Sequence, residues 1–160
     1  MGLEIERKFL VEKRDWSSLA EGKICRQGYL SVLDSTVVRV RIIGDEAFLT
    51  VKGPDPGSGR REFEYEIPVK DATEMLVELC EKPVIEKARH RIPYAGHTWE
   101  VDVFHGDNEG LVLAEVEVDR TDEVVELPPW ISKEVTGDHR YNNTWLVKHP
   151  FRTWERTSFP

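Results

Sequence analysis

Charged and apolar residues alternate with a period of two in this chain, and that pattern narrows its possible folds more than any other feature. In a β-strand, successive side chains point to opposite faces, so residues i, i+2 and i+4 share one face. Within Met1–Val11, Glu4, Glu6 and Lys8 share one face and Leu3, Ile5, Phe9 and Val11 the other. Like charges two residues apart repel, so such a face needs solvent or counter-charges opposite it. One strand of this kind reads as the wet face of a half-open sheet. The same pattern, however, recurs along most of the chain.

Thr36–Ile43 sets Arg39 and Arg41 against Val38, Val40 and Ile42, and Ala47–Lys52 sets Thr50 and Lys52 against Leu49 and Val51. Arg60–Ile67 sets Arg60, Glu62, Glu64 and Glu66 against Phe63, Tyr65 and Ile67. Further on, Val84–Ile92 sets Lys87, Arg89 and Arg91 against Ala88, His90 and Ile92. Thr98–Phe104 opposes Glu100 and Asp102 to Trp99, Val101 and Val103, and Leu111–Asp119 opposes Glu115 and Glu117 to Ala114, Val116 and Val118. Arg26–Leu33 carries Gln27, Tyr29 and Ser31 on one face and Leu30 and Val32 on the other.

The turn-rich run Gly53–Gly59 interrupts these strands. Asp71–Lys82 reads as a helix, with Asp71 and Glu74 as a capping pair and Met75, Leu76, Leu79 and Cys80 forming an apolar stripe before Pro83. Arg14–Ala20 reads as a short helix or turn, Asp138–His149 as a closing helix and Thr153–Pro160 as a loose tail. The organisation predicted is one α+β domain over residues 1–150 with a tail over 151–160. Its strands, about eight in a meander, make a closed antiparallel barrel or strongly curved sheet with helices packed outside.

The composition of the charged faces bears on which face lies inside. A solvated face favours mixed Lys, Thr and Ser, whereas the basic set here is mostly Arg and charges of one sign run together on each strand. Arg grips phosphate oxygens through a planar two-pronged fork, and clustered carboxylates suit hard divalent cations such as Mg²⁺. Both signs lining one cavity make a site for a metal-bound polyanion. The formal net charge of −8 argues against broad binding to nucleic acid or an anionic membrane. Cys25 and Cys80 are the only cysteines, and no signal peptide or membrane-length apolar run is present, which suggests a reduced, cytoplasmic chain. In that setting the glycosylation sequon at Asn142-Asn143-Thr144 reads as chance.

With these motifs in order, the chain resembles the CYTH family, the triphosphate tunnel metalloenzymes. The resemblance is carried by Glu4-x-Glu6-x-Lys8, Arg39-x-Arg41, Lys52, Arg60-x-Glu62-x-Glu64, Lys87-x-Arg89, Glu100-x-Asp102 and Glu115-x-Glu117, over about residues 3–119. It implies an eight-stranded antiparallel barrel forming a tunnel with its charged faces inward, and divalent-metal-dependent chemistry on triphosphates. Arg26-Gln27-Gly28-Tyr29-Leu30 gives the chain the look of the short bacterial tripolyphosphatases of that family.

The resemblance implies that Lys8, Arg39, Arg41, Lys52, Arg60 and Arg89 hold phosphates. It makes Glu4, Glu6, Asp102, Glu115 and Glu117 the ligands of Mg²⁺ or Mn²⁺, and Lys87 with Tyr29 the pair that activates water. Crowding by Arg89 and Arg91 favours a lowered Lys87 pKa and nearby carboxylates oppose it, while a metal-bound hydroxide could replace the pair. Tyr29 also reads as an ordinary lining or core tyrosine, Lys87 as a phosphate clamp only, Glu66 as a structural partner of arginine and Arg91 as a solvated rim residue. The predicted substrate is a small-molecule triphosphate, in a protein that could be a homodimer by family analogy. Two rivals stand beside the hydrolase: a class IV-like adenylate cyclase, and a non-catalytic binder of polyphosphate or nucleotide.

Overall fold

The computed structural model describes residues 2–12, 15–33 and 35–154, apart from the side chains of Asp15, Ser31 and Val32. The strands are β1 (Gly2–Glu4), β2 (Glu6–Val11), β3 (Gly22–Leu33), β4 (Thr36–Ile43), β5 (Glu46–Lys52), β6 (Arg60–Ile67), β7 (Ile85–Tyr94), β8 (His97–Phe104), β9 (Val112–Glu117) and β10 (Ile131–Glu134). They form a single ten-stranded sheet in the order β1-β6-β5-β4-β3-β7-β8-β9-β2-β10, antiparallel throughout.

Two expectations need correction. The sheet has ten strands rather than about eight, and its hydrogen-bond ladder is open, with β1 and β10 at the edges. Both differences trace largely to Ile5. The N-terminal strand breaks there, so β1 pairs with β6 while β2 pairs with β9. A single residue thus ties the two ends of the sheet together, and the Val118 amide donates to the Ile5 carbonyl at 2.9 Å. The wrapped, tunnel-like form is closed by covalent connection, not by a continuous ladder. The tenth strand, β10, adds to β2 from a segment without period-two charge alternation.

Two hydrophobic clusters lie on the uncharged faces of the strands. Trp99, Val101, Phe9, Ala114 and Val116 pack with Trp16 and Trp130. Val40 and Ala47 pack against Ala72 and Leu76 of helix α1 (Val69–Glu78) and against Cys80 just beyond its end. A third cluster lies on the charged faces, where Ile85, Phe104 and Leu113, two residues from Lys87, Asp102 and Glu115, pack with Tyr141, Leu146, Val147 and Phe151.

Helix α1 begins two residues before the expected Asp71, with Pro68 as its N-cap residue and no side-chain cap. Strand β6 runs to Ile67, so the chain turns directly into the helix and Asp71 falls in the first turn. At the other end the Lys82 ammonium donates to the carbonyls of Leu76, Val77 and Cys80.

The predicted closing helix is shorter than Asp138–His149. It resolves into a 3₁₀ turn, His139–Tyr141, and helix α2 (Asn143–Lys148), separated by Asn142 in an extended conformation (φ −77°, ψ 140°). The expected tail starts inside the core: Phe151 is buried and Trp154 packs on it and on Tyr141. The rest of that tail, 155–160, lies outside the described residues, as do residues 13 and 14 of the expected Arg14–Ala20 turn, of which Asp15–Ser18 is a 3₁₀ turn. The faces expected for Ser31 and Val32 also lie outside them, and the β3–β4 register shifts between Tyr29 and Ser31.

Candidate functional site

The charged faces of β1 to β9 all line one cavity of about 430 Å³. Glu4, Glu6, Lys8, Tyr29, Arg39, Arg41, Lys52, Arg60, Arg89, Glu115 and Glu117 stand on its wall, eleven of the thirteen residues singled out from the sequence. The other two, Lys87 and Asp102, sit behind the wall.

Several cations line the wall. Arg39 and Arg41 come from alternate positions of β4, and the Arg41 guanidinium donates from Nε to Gln27 Oε1 at 3.0 Å. Burial, together with Arg39 and Arg89, lowers the Arg41 pKa from its ordinary value. Arg39 reaches Thr50 Oγ1 at 3.4 Å and Glu64 at 3.7 Å, while its Nε is buried without a hydrogen-bond partner. Arg60 Nε is likewise buried and unpartnered. Buried guanidinium N–H groups that meet no acceptor are costly, and an oxyanion supplies the acceptors they lack.

Carboxylates stand among these cations. Glu6 faces Glu117 across β2 and β9, with Glu115 opposite Lys8. Burial, then the charge of Glu115 and a hydrogen bond to it, push the Glu6 carboxyl well above its usual range. Burial also pushes Glu115 up, but Lys8, Glu6 and Arg89 outweigh it and hold Glu115 well below that range. Their mutual hydrogen bond thus favours the proton on Glu6. Glu4 is raised by burial against the pull of Lys52, whose ammonium lies 2.9 Å from its carboxylate, and Glu117 is raised by burial with Glu4 and Glu100.

This donor set fits a hard divalent cation in chemistry and charge. Among the described residues no three such side chains already stand at ligand spacing. Glu4, Glu6, Glu115 and Glu117 are wall carboxylates that could hold such a cation.

Lys87 and Tyr29 take separate partners. Lys87 is fully buried, with its Nζ 2.8 Å from Asp102 Oδ2 and 3.3 Å from Asn143 Oδ1, above the Phe104 ring. Its pKa is lowered, chiefly by burial and then by Arg89 and Arg41, against the opposing charge of Asp102. Asp102 is gripped by Arg89 as well, through Nε at 2.8 Å and Nη2 at 2.9 Å. Burial pushes the Asp102 carboxyl up, yet Lys87 and Arg89 more than offset this and bring it to about 2. Tyr29 accepts from Gln27 Nε2 at 3.0 Å, and burial raises its pKa. No hydrogen bond joins Tyr29 to Lys87 among the described residues.

Glu64 accepts a hydrogen bond from Thr50 at 3.0 Å and lies 3.7 Å from Arg39. The Arg91 side chain is 67% exposed at the rim, 3.8 Å from Glu100. The segment the sequence reading missed is Asn142-Asn143-Thr144, which lines one end of the cavity, where Lys8 Nζ also donates to the Tyr141 carbonyl at 3.1 Å. In sequence it carries only a sequon. No strand periodicity or charge cluster marks it.

The chain matches the CYTH domain over residues 2–142. It is 52% identical to an inorganic triphosphatase of Acetivibrio thermocellus over 155 residues, 97% of this chain and 99% of that protein. It is 40% identical to an inorganic triphosphatase of Nitrosomonas europaea, over 90% of this chain and 96% of that protein. A solved inorganic triphosphatase structure, 38% identical, superposes with a TM-score of 0.66 over 92% of this chain and 95% of its own.

Proposed function

The chain belongs to the CYTH domain family, and from that premise we propose that it hydrolyses the terminal phosphate of inorganic triphosphate. It is a triphosphate-hydrolysing enzyme of that family, with a metal-dependent site. The observation that carries the substrate reading is the cavity itself, with buried guanidinium N–H groups of Arg39 and Arg60 that have no partner. A linear polyanion supplies acceptors to several strands at once, as a single phosphate does not.

In this reading Lys8, Arg39, Arg41, Lys52, Arg60 and Arg89 hold the phosphates and neutralise charge on the leaving group. Glu6 and Glu115, joined by Glu4 and Glu117, hold Mg²⁺ or Mn²⁺. A divalent cation held there would supply charge neutralisation for the phosphates and for an attacking water. Tyr29, whose pKa burial raises, would donate a hydrogen bond from its hydroxyl into the cavity. Lys87 and Asp102 act from behind the wall, where the supported role of Asp102 is partner to two cations rather than metal ligand.

The same reading takes the protein as a cytoplasmic homodimer that binds neither nucleic acid nor membrane; both cysteines are free and buried, as a reducing compartment allows. Sedimentation at micromolar concentration tests the assembly, and a monomer there removes it.

Product analysis tests the activity. With Mg²⁺ or Mn²⁺, tripolyphosphate should release phosphate much faster than ATP or thiamine triphosphate does. Cyclic AMP and pyrophosphate from ATP, or tight binding with no product, would replace this reading.

A further inference from the structure

Lys87 is fully buried and absent from the cavity wall, while Asn143, which accepts its hydrogen bond at 3.3 Å, is on that wall. An ammonium donates and never accepts, so only the carbonyl oxygen of the Asn143 carboxamide can face it. That fixes which end of the amide points where. With Oδ1 held by Lys87, the NH₂ end is the one left to face the cavity. Lys87 is itself held by Asp102 at 2.8 Å, and Asp102 by two bonds from Arg89, so the whole relay has one arrangement.

We propose that Asn143 is a substrate-contacting residue, donating its amide N–H to a phosphate oxygen at the α2 end of the cavity. Lys87 is a positioning residue that sets the amide's orientation and works through it. This rests on the triphosphate reading above. The amide adds a neutral donor beside Lys87 and Arg89, which are both paired with Asp102.

Three variants test it. Asn143→Asp still accepts from Lys87, so the fold should hold, but it has no N–H to give and turns an anion toward the substrate. Its KM for tripolyphosphate should rise about tenfold or more, the scale of one hydrogen bond to a charged group. Asn143→Ala should do the same without the added repulsion, so its KM should depend less on salt than that of Asn143→Asp. Lys87→Met should raise KM as Asn143→Ala does, and the double variant should be no worse than Asn143→Ala alone.

Unchanged KM in Asn143→Asp overturns the contact, and additive effects in the double variant overturn the relay. Calorimetric binding of tripolyphosphate separates this from the broader reading. Wild-type chain that binds without releasing phosphate sinks the hydrolase and leaves binding by the Asn143 variants to decide the contact. Wild-type chain that does not bind at all sinks both.

Discussion

Glu6 and Glu115, diagonal neighbours on β2 and β9, share one hydrogen bond that splits their titration, Glu6 moving well above the ordinary carboxylate range and Glu115 well below it. The pair favours holding a proton to higher pH than an isolated glutamate does. A cation binding there must displace it.

Metal binding should therefore release a proton and tighten as pH rises above the normal carboxylate range. The stability that the raised Glu6 contributes runs the other way: it is present at low pH and is lost as pH rises through the folded pKa. Glu6→Gln should weaken Mn²⁺ binding about tenfold or more and flatten its pH dependence, given that a hydrogen-bonded charge is worth about 1.5–3 kcal/mol. Titration calorimetry in two buffers of different ionisation enthalpy reads both. Equal apparent enthalpies in the two buffers would rule out a proton held by the pair.

Asp102 supplies a second pH signature of opposite sign. Its carboxyl sits at about 2, below the ordinary 3.8, so the ionised form is favoured by folding. That contribution, about 2 kcal/mol, is complete above the unfolded value and disappears as pH falls through the folded one. Asp102→Asn leaves the Lys87 ammonium buried without its anion and should cost about 3–5 kcal/mol at neutral pH. Denaturant unfolding from pH 5 downward should show the gap between variant and wild type narrowing.

Arg39→Lys keeps the charge but loses the planar fork whose Nε lacks a partner. The KM for tripolyphosphate should rise about tenfold with little change in thermal stability, the scale of one charge-assisted hydrogen bond. Rescue of wild-type KM by lysine would mean that Arg39 acts as a point charge only.

Tyr29→Phe removes a hydroxyl that lines the cavity and takes a hydrogen bond from Gln27. If it donates to a phosphate oxygen, kcat should fall about tenfold to a hundredfold while Mn²⁺ affinity stays the same, within the range for a single donor at developing charge. A variant with wild-type kcat would return Tyr29 to a lining role.

Gly28 tests the outer packing. A Cβ built there meets Cys80 Cβ at 2.8 Å and Leu76 Cδ2 at 3.1 Å, because α1 lies directly against β3. Gly28→Ala should lower stability by about 1–3 kcal/mol, the usual cost of overpacking, without altering KM. A melting temperature equal to wild type would show that α1 has room to move.

Much of this site was legible because a strand has a rigid period. Once Glu4-x-Glu6-x-Lys8 and Arg39-x-Arg41 are strands, each set must share a face, and the sheet can only curl that face inward or expose it. The helix at Met75 and Leu76 was visible in the same way, from its apolar stripe. Asn143 was not legible. It comes from a non-periodic segment more than fifty residues beyond Lys87 in sequence, and only packing of the 138–154 segment against Leu113 and Phe104 brings it to the cavity.

The sequence by itself determined that strands with one charged and one apolar face would be built, and that both signs of charge would line a common face, because side-chain alternation is local geometry. Only the tertiary structure decided which charges meet. It joined Glu6 to Glu115 and sent Lys87 to Asp102 and Asn143 instead of Tyr29. It also split the first strand at Ile5 so that its halves pair with opposite ends of the sheet. Those choices depend on register and on which strands become neighbours, and both are fixed by hydrogen bonds between residues far apart in the chain.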